Sequence, residues 1–197
     1  YSFSSFPHED KKLLKFYIKL ALPINSNNTK ISKISKKHWG IATSFLFSLK
    51  ENDALKLSGP FGSDKNTHRE KDFIYLIGGV GIASARSSIL DQLINEKTKK
   101  NIELWHGISH QNEAVDSQEM LQLSKYYKNF FYKNVVSNKK EGFLFEKFKI
   151  ERLQNIENPN IYVYFLCGPT LHIEKTYKML NDFGVDEKNI IVDECGG

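Results

Sequence analysis

The chain has 197 residues, 40% of them hydrophobic, and 28 basic against 23 acidic side chains give a formal net charge of +5. That is enough apolar material for one large folded domain or two small ones, and no apolar run reaches the roughly 18 residues of a membrane-crossing helix. The lysines are scattered, at Lys36-Lys37, around 97–100 and at Lys139-Lys140, which fits solvated loops and argues against a nucleic-acid partner, while a basic surface facing anionic lipid stays open.

The first elements point to β structure. Leu13 to Leu20 alternates as a half-buried strand does, Asn25 to Asn28 has turn composition, 40–47 suits a short helix, and 54–58 suits a strand closed by Gly59-Pro60-Phe61-Gly62. The polar run from Ser63 to Asp72 has the composition of a domain boundary. Beyond it, strands over 73–77, 102–107, 130–136, 161–166 and 189–192 alternate with helices over 83–96, 117–127, 143–153 and 171–182. This rhythm predicts a parallel sheet with helices on both faces. Such sheets bind ligands at the carboxyl ends of their strands, where the strand order reverses.

Three segments carry candidate chemistry. The run Ile77-Gly78-Gly79-Val80-Gly81-Ile82-Ala83 follows a strand and opens a helix, where glycines let the backbone approach a pyrophosphate beside a positive helix end. Read from Gly79 the spacing is G-x-G-x-x-S, with Ser84 where the dinucleotide fingerprint has Gly or Ala. No acidic residue ends the second strand to hold a ribose, since that strand closes on His106-Gly107, and Glu103 and Glu96 are poorly placed. A tight strand-to-helix turn without a ligand is the competing reading.

The second segment, Cys167-Gly168-Pro169-Thr170, also sits between a strand and a helix, either as a buried thiol before a turn or as part of a ligand crevice. The third is the closing run Asp193-Glu194-Cys195-Gly196-Gly197. Cys167 and Cys195 stand far apart in sequence without metal spacing, so neither a disulfide framework, an iron–sulfur site nor any other metal site is expected within these residues, and a reducing compartment is. The chain opens at Tyr1 without Met and without signal-peptide character, and a piece of a longer protein is expected.

In this order the three segments resemble the pyridine-nucleotide domain of the ferredoxin-NADP reductase superfamily. Tyr1-Ser2, Gly40 with Thr43-Ser44, and Ser58-Gly59-Pro60-Phe61-Gly62 resemble that superfamily's flavin-domain motifs. Further short matches, at 47–50, Asp91-Gln92-Leu93, Trp105-His106-Gly107 and Gly184 to Ile190, are most similar to the F subunits of sodium-translocating NADH:quinone oxidoreductases. The resemblance implies part of an antiparallel β-barrel flavin-binding domain over 1–70, followed by an α/β nucleotide-binding domain over 71–197.

It also implies site roles. Tyr1 would pack on the flavin ring, and Ser2 would hydrogen-bond near its reactive nitrogen. Gly40, Thr43 and Ser44 would bind the FAD pyrophosphate. Gly79 and Gly81 would approach NADH, Gly168 and Pro169 would shape the second turn, and Cys167 would stand beside the hydride path. Cys195 occupies the place of an aromatic residue against the flavin.

The implied cofactors are FAD and NADH, with a 2Fe-2S cluster expected only on a segment outside these 197 residues. The implied partners are the iron–sulfur domain and other subunits of a membrane quinone reductase, on the cytoplasmic face of the cell membrane. The loop Ser109 to Asp116 contains neither Arg nor Lys, while Glu113 and Asp116 would repel a 2′-phosphate, which favours NADH over NADPH. The reductase component of a soluble oxygenase system, and a truncated domain that binds a nucleotide or partner proteins without turnover, remain the alternatives.

Overall fold

The computed structural model describes residues 1–20, 40–62, 70–137 and 142–193. Two compact units divide the chain, one of Tyr1–Tyr17 with Lys65–Gly197 and one of Ile18–Asp64.

In the larger unit a five-stranded sheet is built from β1 (Asp72–Gly78), β2 (Ile102–Ile108), β3 (Phe130–Val136), β4 (Tyr162–Cys167) and β5 (Ile190–Asp193). The order is β3-β2-β1-β4-β5 and all pairings are parallel. With α1 (Ile41–Ser48) in the smaller unit, the connecting helices are α2 (Ile82–Leu90), α3 (Ser117–Tyr126), α4 (Leu144–Glu151) and α5 (Thr170–Asp182). A π-helical turn over Asp91–Asn95 extends α2. The fold is therefore the expected α/β class, with strand bounds within a residue or two of those predicted.

Both faces of the central strand are apolar, as a sheet covered on both sides requires. Phe73, Tyr75 and Ile77 join a core with Ile82, Ala85 and Ile89 of α2 and Met120 of α3. Ile74 and Leu76 point the other way, into a core with Leu144 and Phe148 of α4 and Met179 and Leu180 of α5. The buried Tyr75 hydroxyl is paired with Ser88 Oγ at 2.9 Å and accepts from Gln92 Nε2 at 2.7 Å. Desolvation raises its pKa to about 12.

Polar contacts fasten the N-terminal segment to this domain, and Arg86 makes most of them, beside a Ser87 hydroxyl that donates to the Ser5 carbonyl at 2.9 Å. Arg86 of α2 has a side chain only 2% exposed and donates to Glu9 at 2.8 and 2.8 Å, to Glu119 at 2.6 and 2.7 Å, and to the Ser4 carbonyl at 2.6 Å. Five N–H donors meet five oxygens, which is the full capacity of a guanidinium. The Arg86 hydrogen bonds hold the Glu9 carboxyl below its ordinary pKa. Asp116 lies 3.4 Å from Arg86 Nε and 3.8 Å from Lys15, and accepts from the Tyr17 hydroxyl.

The strands expected at 13–20 and 54–58 are not formed. Among the described residues before β1, β pairing is limited to one antiparallel bridge, Phe3 with Phe16, whose rings lie 5.0 Å apart. An extended segment becomes a strand only where another lies beside it to take its N–H and C=O groups. Residues 54–58 have no such neighbour among the described residues, and Leu55 and Leu57 are exposed. In the smaller unit the expected helix is present as α1, whose Ile41, Phe45 and Phe47 are exposed. The turn expected at 25–28 lies outside the described residues.

Arg86→Met is expected to lower the unfolding free energy by roughly 2–4 kcal/mol in urea, at the lower end because Glu9 and Glu119 can still reach water. A variant as stable as the wild type would show that residues 4–9 are held without Arg86.

Candidate dinucleotide site

The strand order places the switch point between β1 and β4. Their register sets Ile77 opposite Cys167, so the chain leaves both strands at one edge of the sheet. Gly78, Gly79 and Gly81 leave β1 there, and Cys167, Gly168 and Pro169 leave β4. The structure thus brings together five residues singled out in the sequence: Gly79, Gly81, Cys167, Gly168 and Pro169. Helices α2 and α5 begin immediately afterwards, so two helix N-termini, each the positive end of a dipole, lie at the same edge.

The contact between these turns has no room to spare. A Cβ on Gly81 would stand 2.9 Å from Cys167 Sγ and 3.1 Å from its carbonyl carbon and oxygen, and one on Gly168 would stand 2.9 Å from Gly78 Cα. A Cβ on Gly78 would meet Pro169 Cδ at 2.9 Å. Gly79 is glycine for another reason: its φ is +54°, and no described residue lies within 4 Å of its missing Cβ. Together they leave a cradle that side chains would fill, which is what close approach of a pyrophosphate requires.

Side-chain hydrogen bonds fix the turn. The Ser84 hydroxyl donates to the Gly81 carbonyl at 3.2 Å, which accounts for a polar residue at the fingerprint's third position. His106 Nε2 lies 2.9 Å from the Gly79 carbonyl, and His172 Nε2 lies 3.1 Å from the Leu76 carbonyl. Desolvation lowers the pKa of both imidazoles below the ordinary 6.5. Both are therefore neutral donors near pH 7.

Sequence reasoning gave neither histidine a role. The available signal was a polar ring, His106, inside an apolar strand. Glu103, a weak ribose candidate, is taken by Arg152 at 2.7 Å.

The remaining candidates lie elsewhere. In the larger unit Tyr1 is 69% exposed, and Ser2 is half-buried. In the smaller unit Gly40 caps α1, its carbonyl accepts from the Ser44 N–H at 2.8 Å and the Thr43 hydroxyl at 3.2 Å, and the Ser44 hydroxyl is buried without a hydrogen-bond partner among the described residues. Such an orphaned hydroxyl at a helix start fits an anionic ligand group.

Cys195 lies outside the described residues. The expectation that the cysteines stand apart is corrected, because Cys167 is disulfide-bonded. Distance along the chain misled here: the final strand returns beside β4, setting Asp193 opposite Cys167.

Gly81→Ala and Gly168→Ala are each expected to cost roughly 1–3 kcal/mol in urea unfolding, as an extra methyl in a packed site does. Gly79→Asn, which tolerates the left-handed conformation, is expected to be nearly silent. A Gly81→Ala protein as stable as the wild type would show that Cys167 does not press on this turn.

The neutral histidines also set a pH dependence. The folded protein binds fewer protons than the unfolded chain, whose imidazoles titrate near 6.5. Their contribution is fully present above that pH and is lost as pH falls through it towards the lower folded values. Unfolding free energy is expected to fall between about pH 7 and 5, more steeply than in a His106→Gln, His172→Gln double variant; equal slopes would refute the burial of neutral rings.

Several known proteins are similar to this chain in sequence or in fold. The F subunit of the Na(+)-translocating NADH-quinone reductase of Chlamydia pneumoniae is 36% identical over 211 residues, covering 100% of this chain and 48% of that protein. The corresponding protein of Methylococcus capsulatus is 30% identical over 205 residues, covering 100% and 49%. The chain thus spans about half the length of these relatives. Among solved structures, the ferredoxin-NADP+ reductase of Plasmodium falciparum superposes with a TM-score of 0.75 at 20% identity, covering 98% of this chain and 76% of that one. The CS-b5R domains of human Ncb5or give 0.67 at 17% identity, covering 78% and 45%. The family model of the oxidoreductase NAD-binding domain matches residues 76–178, which take in the glycine turn, the Cys-Gly-Pro turn and the strands between them, and the chain belongs to that family.

Proposed function

We propose that this chain is the FAD-dependent, NADH-oxidising part of a sodium-translocating NADH:quinone oxidoreductase. In this reading electrons pass to an iron–sulfur centre on a segment outside these 197 residues, at the cytoplasmic face of the membrane. The observation that carries the proposal is the meeting of the Gly79–Gly81 and Cys167–Pro169 turns at the switch point of a domain whose relatives are F subunits of such reductases. Among the described residues no helix is long and apolar enough to cross a membrane, so attachment would come through partner subunits or another segment.

Hydride transfer from nicotinamide to flavin is the chemistry the two cofactors supply when bound. The protein's share is placement. Gly79 and Gly81 admit the dinucleotide backbone, Gly168 and Pro169 shape the facing wall, and Cys167 as a thiol lines the path of the reacting atoms. Tyr1 and Ser2 are assigned to the flavin ring, and Gly40, Thr43 and Ser44 to the FAD pyrophosphate, with the buried Ser44 hydroxyl as the support for the last assignment.

NADH preference follows from the loop after β2. Between Ser109 and Asp116 there is no cation to meet a 2′-phosphate. The Asp116 carboxylate is engaged by Arg86, Lys15 and Tyr17. Burial, its largest influence, raises the pKa of that carboxyl. Repulsion therefore falls to Glu113, whose carboxylate accepts from the Ser109 N–H at 3.1 Å at the mouth of the loop.

Protein purified with a thiol reductant and supplied with FAD is expected to show flavin bands that bleach with NADH. Bleaching should be slower with NADPH, and Glu113→Lys should narrow the gap. A full-length protein that retains no flavin would sink the enzyme reading in favour of a binding domain, and equal rates with the two nucleotides would show that the 109–116 loop does not discriminate. Reduction of a soluble ferredoxin-type acceptor, with no gain from quinone, would favour the oxygenase-reductase alternative.

A further inference from the structure

His106 carries a burden that an apolar ring in its place would not. It stands within β2, fully buried, and its Nδ1 has no hydrogen-bond partner among the described residues. Leaving a polar atom dry is unfavourable. Against this stands one bond, from Nε2 to the Gly79 carbonyl oxygen at 2.9 Å.

Because a carbonyl only accepts, the proton of the neutral ring is assigned to Nε2 and Nδ1 is the bare nitrogen. The ring is thereby held in one tautomer. Its single proton is committed to the backbone, so it is poorly suited to act as an acid or base.

The carbonyl it holds is the pivot of the turn. Gly79 takes the chain out of β1 with φ +54°, and among the described residues nothing lies within 4 Å on the side where a Cβ would stand, so none of their side chains steadies it there. Its carbonyl instead accepts twice, from the Ile82 N–H that closes the helical turn and from His106. Both lone pairs are used. On the other side of β1, His172 holds the Leu76 carbonyl, and a Cβ at Gly78 or Gly168 would meet its ring at 3.3 or 3.1 Å. The strand end is braced from α5, and the turn beyond it from β2.

We infer that His106 is a positioning residue for dinucleotide binding, whose Nε2–H holds the Gly79 carbonyl and so orients the peptide groups of 79–81 towards the ligand's phosphates. This rests on the NADH reading above. It assigns a role in binding and none in the transfer itself, so its loss acts on affinity and KM while kcat stays near the wild-type value.

Two amide substitutions separate this role from simple packing. His106→Gln sets an N–H near the position of Nε2, where it can reach the Gly79 carbonyl; His106→Asn sets one near Nδ1, where it cannot. With the full chain, calorimetric titration with NADH is expected to give affinity within about twofold of the wild type for Gln and roughly threefold to tenfold weaker for Asn, the scale of one net hydrogen bond. Urea unfolding of each protein establishes that it is folded, and His106→Leu, which lacks any donor, replaces Asn if that variant does not fold. Wild-type binding with equal affinities in the Gln and donor-less variants would overturn the inference alone. Absence of NADH binding by the wild type would overturn the NADH reading and the inference with it.

Discussion

The constraint on which the site depends is the distance between two backbones. Parallel pairing of β1 with β4 sets Ile77 beside Cys167, and the chain must then turn out of both strands within the space of a few residues. Only glycine lets the two turns pass each other, since a methyl at Gly81 would lie 2.9 Å from the Cys167 sulfur and one at Gly168 would lie 2.9 Å from Gly78 Cα. Close-packed backbone cannot yield by changing a rotamer, as a flexible side chain could. Helices α2 and α5 inherit their starting points from this contact, and so do the directions of their N-terminal peptide groups.

Helix α2 carries the same constraint further. It begins one residue after Gly81 and places Arg86 one turn later, where the guanidinium collects Glu9, Glu119 and the Ser4 carbonyl. A buried cation is tolerated only with its donors satisfied, so residues 4–9 and α3 must adopt positions that suit one side chain. The N-terminal segment is therefore located by polar geometry as well as by the burial of Phe6. Its own β pairing is a single bridge between Phe3 and Phe16, and that would be weak anchorage alone. Any movement of α2 that altered the glycine turn would also be felt at residues 4–9 and at Glu119, because both ends belong to one helix.

What the sequence could disclose follows from this division. The runs Phe73 to Gly78 and Tyr162 to Cys167 are apolar at successive positions because both sheet faces are covered, and continuous apolar runs between Gly-rich turns are legible without any tertiary knowledge. Leu13 to Leu20 and Ala54 to Ser58 carry a strand's alternation, but alternation describes a side-chain pattern and says nothing of whether a partner strand is present. Asp116 has the look of a solvent-facing charge in a polar loop; its left-handed backbone, with φ +54°, and its contacts with Arg86 and Tyr17 depend on residues about 30 and 100 positions away. The bonding of Cys167 was hidden for a similar reason, since the return of β5 beside β4 is a property of topology.

The histidines show most clearly why the site was only half visible. Glycines announce a close approach because no other residue permits it, whereas a residue that steadies such an approach can be of several kinds. His106 and His172 act on carbonyl oxygens, which every residue has, so nothing in the sequence around Leu76 or Gly79 identifies a partner. On the proposed reading, a site of this construction offers its ligand shape and peptide dipoles and leaves bond-making to what it binds. Its weak point is then displacement rather than the loss of a reactive group. A shift of the Gly79 peptide would spoil the cradle while every glycine remained in place, which is why neutral rings that hold carbonyls in one orientation suit this turn: on the fully buried His106 a charge would add an N–H at Nδ1 that no described residue accepts.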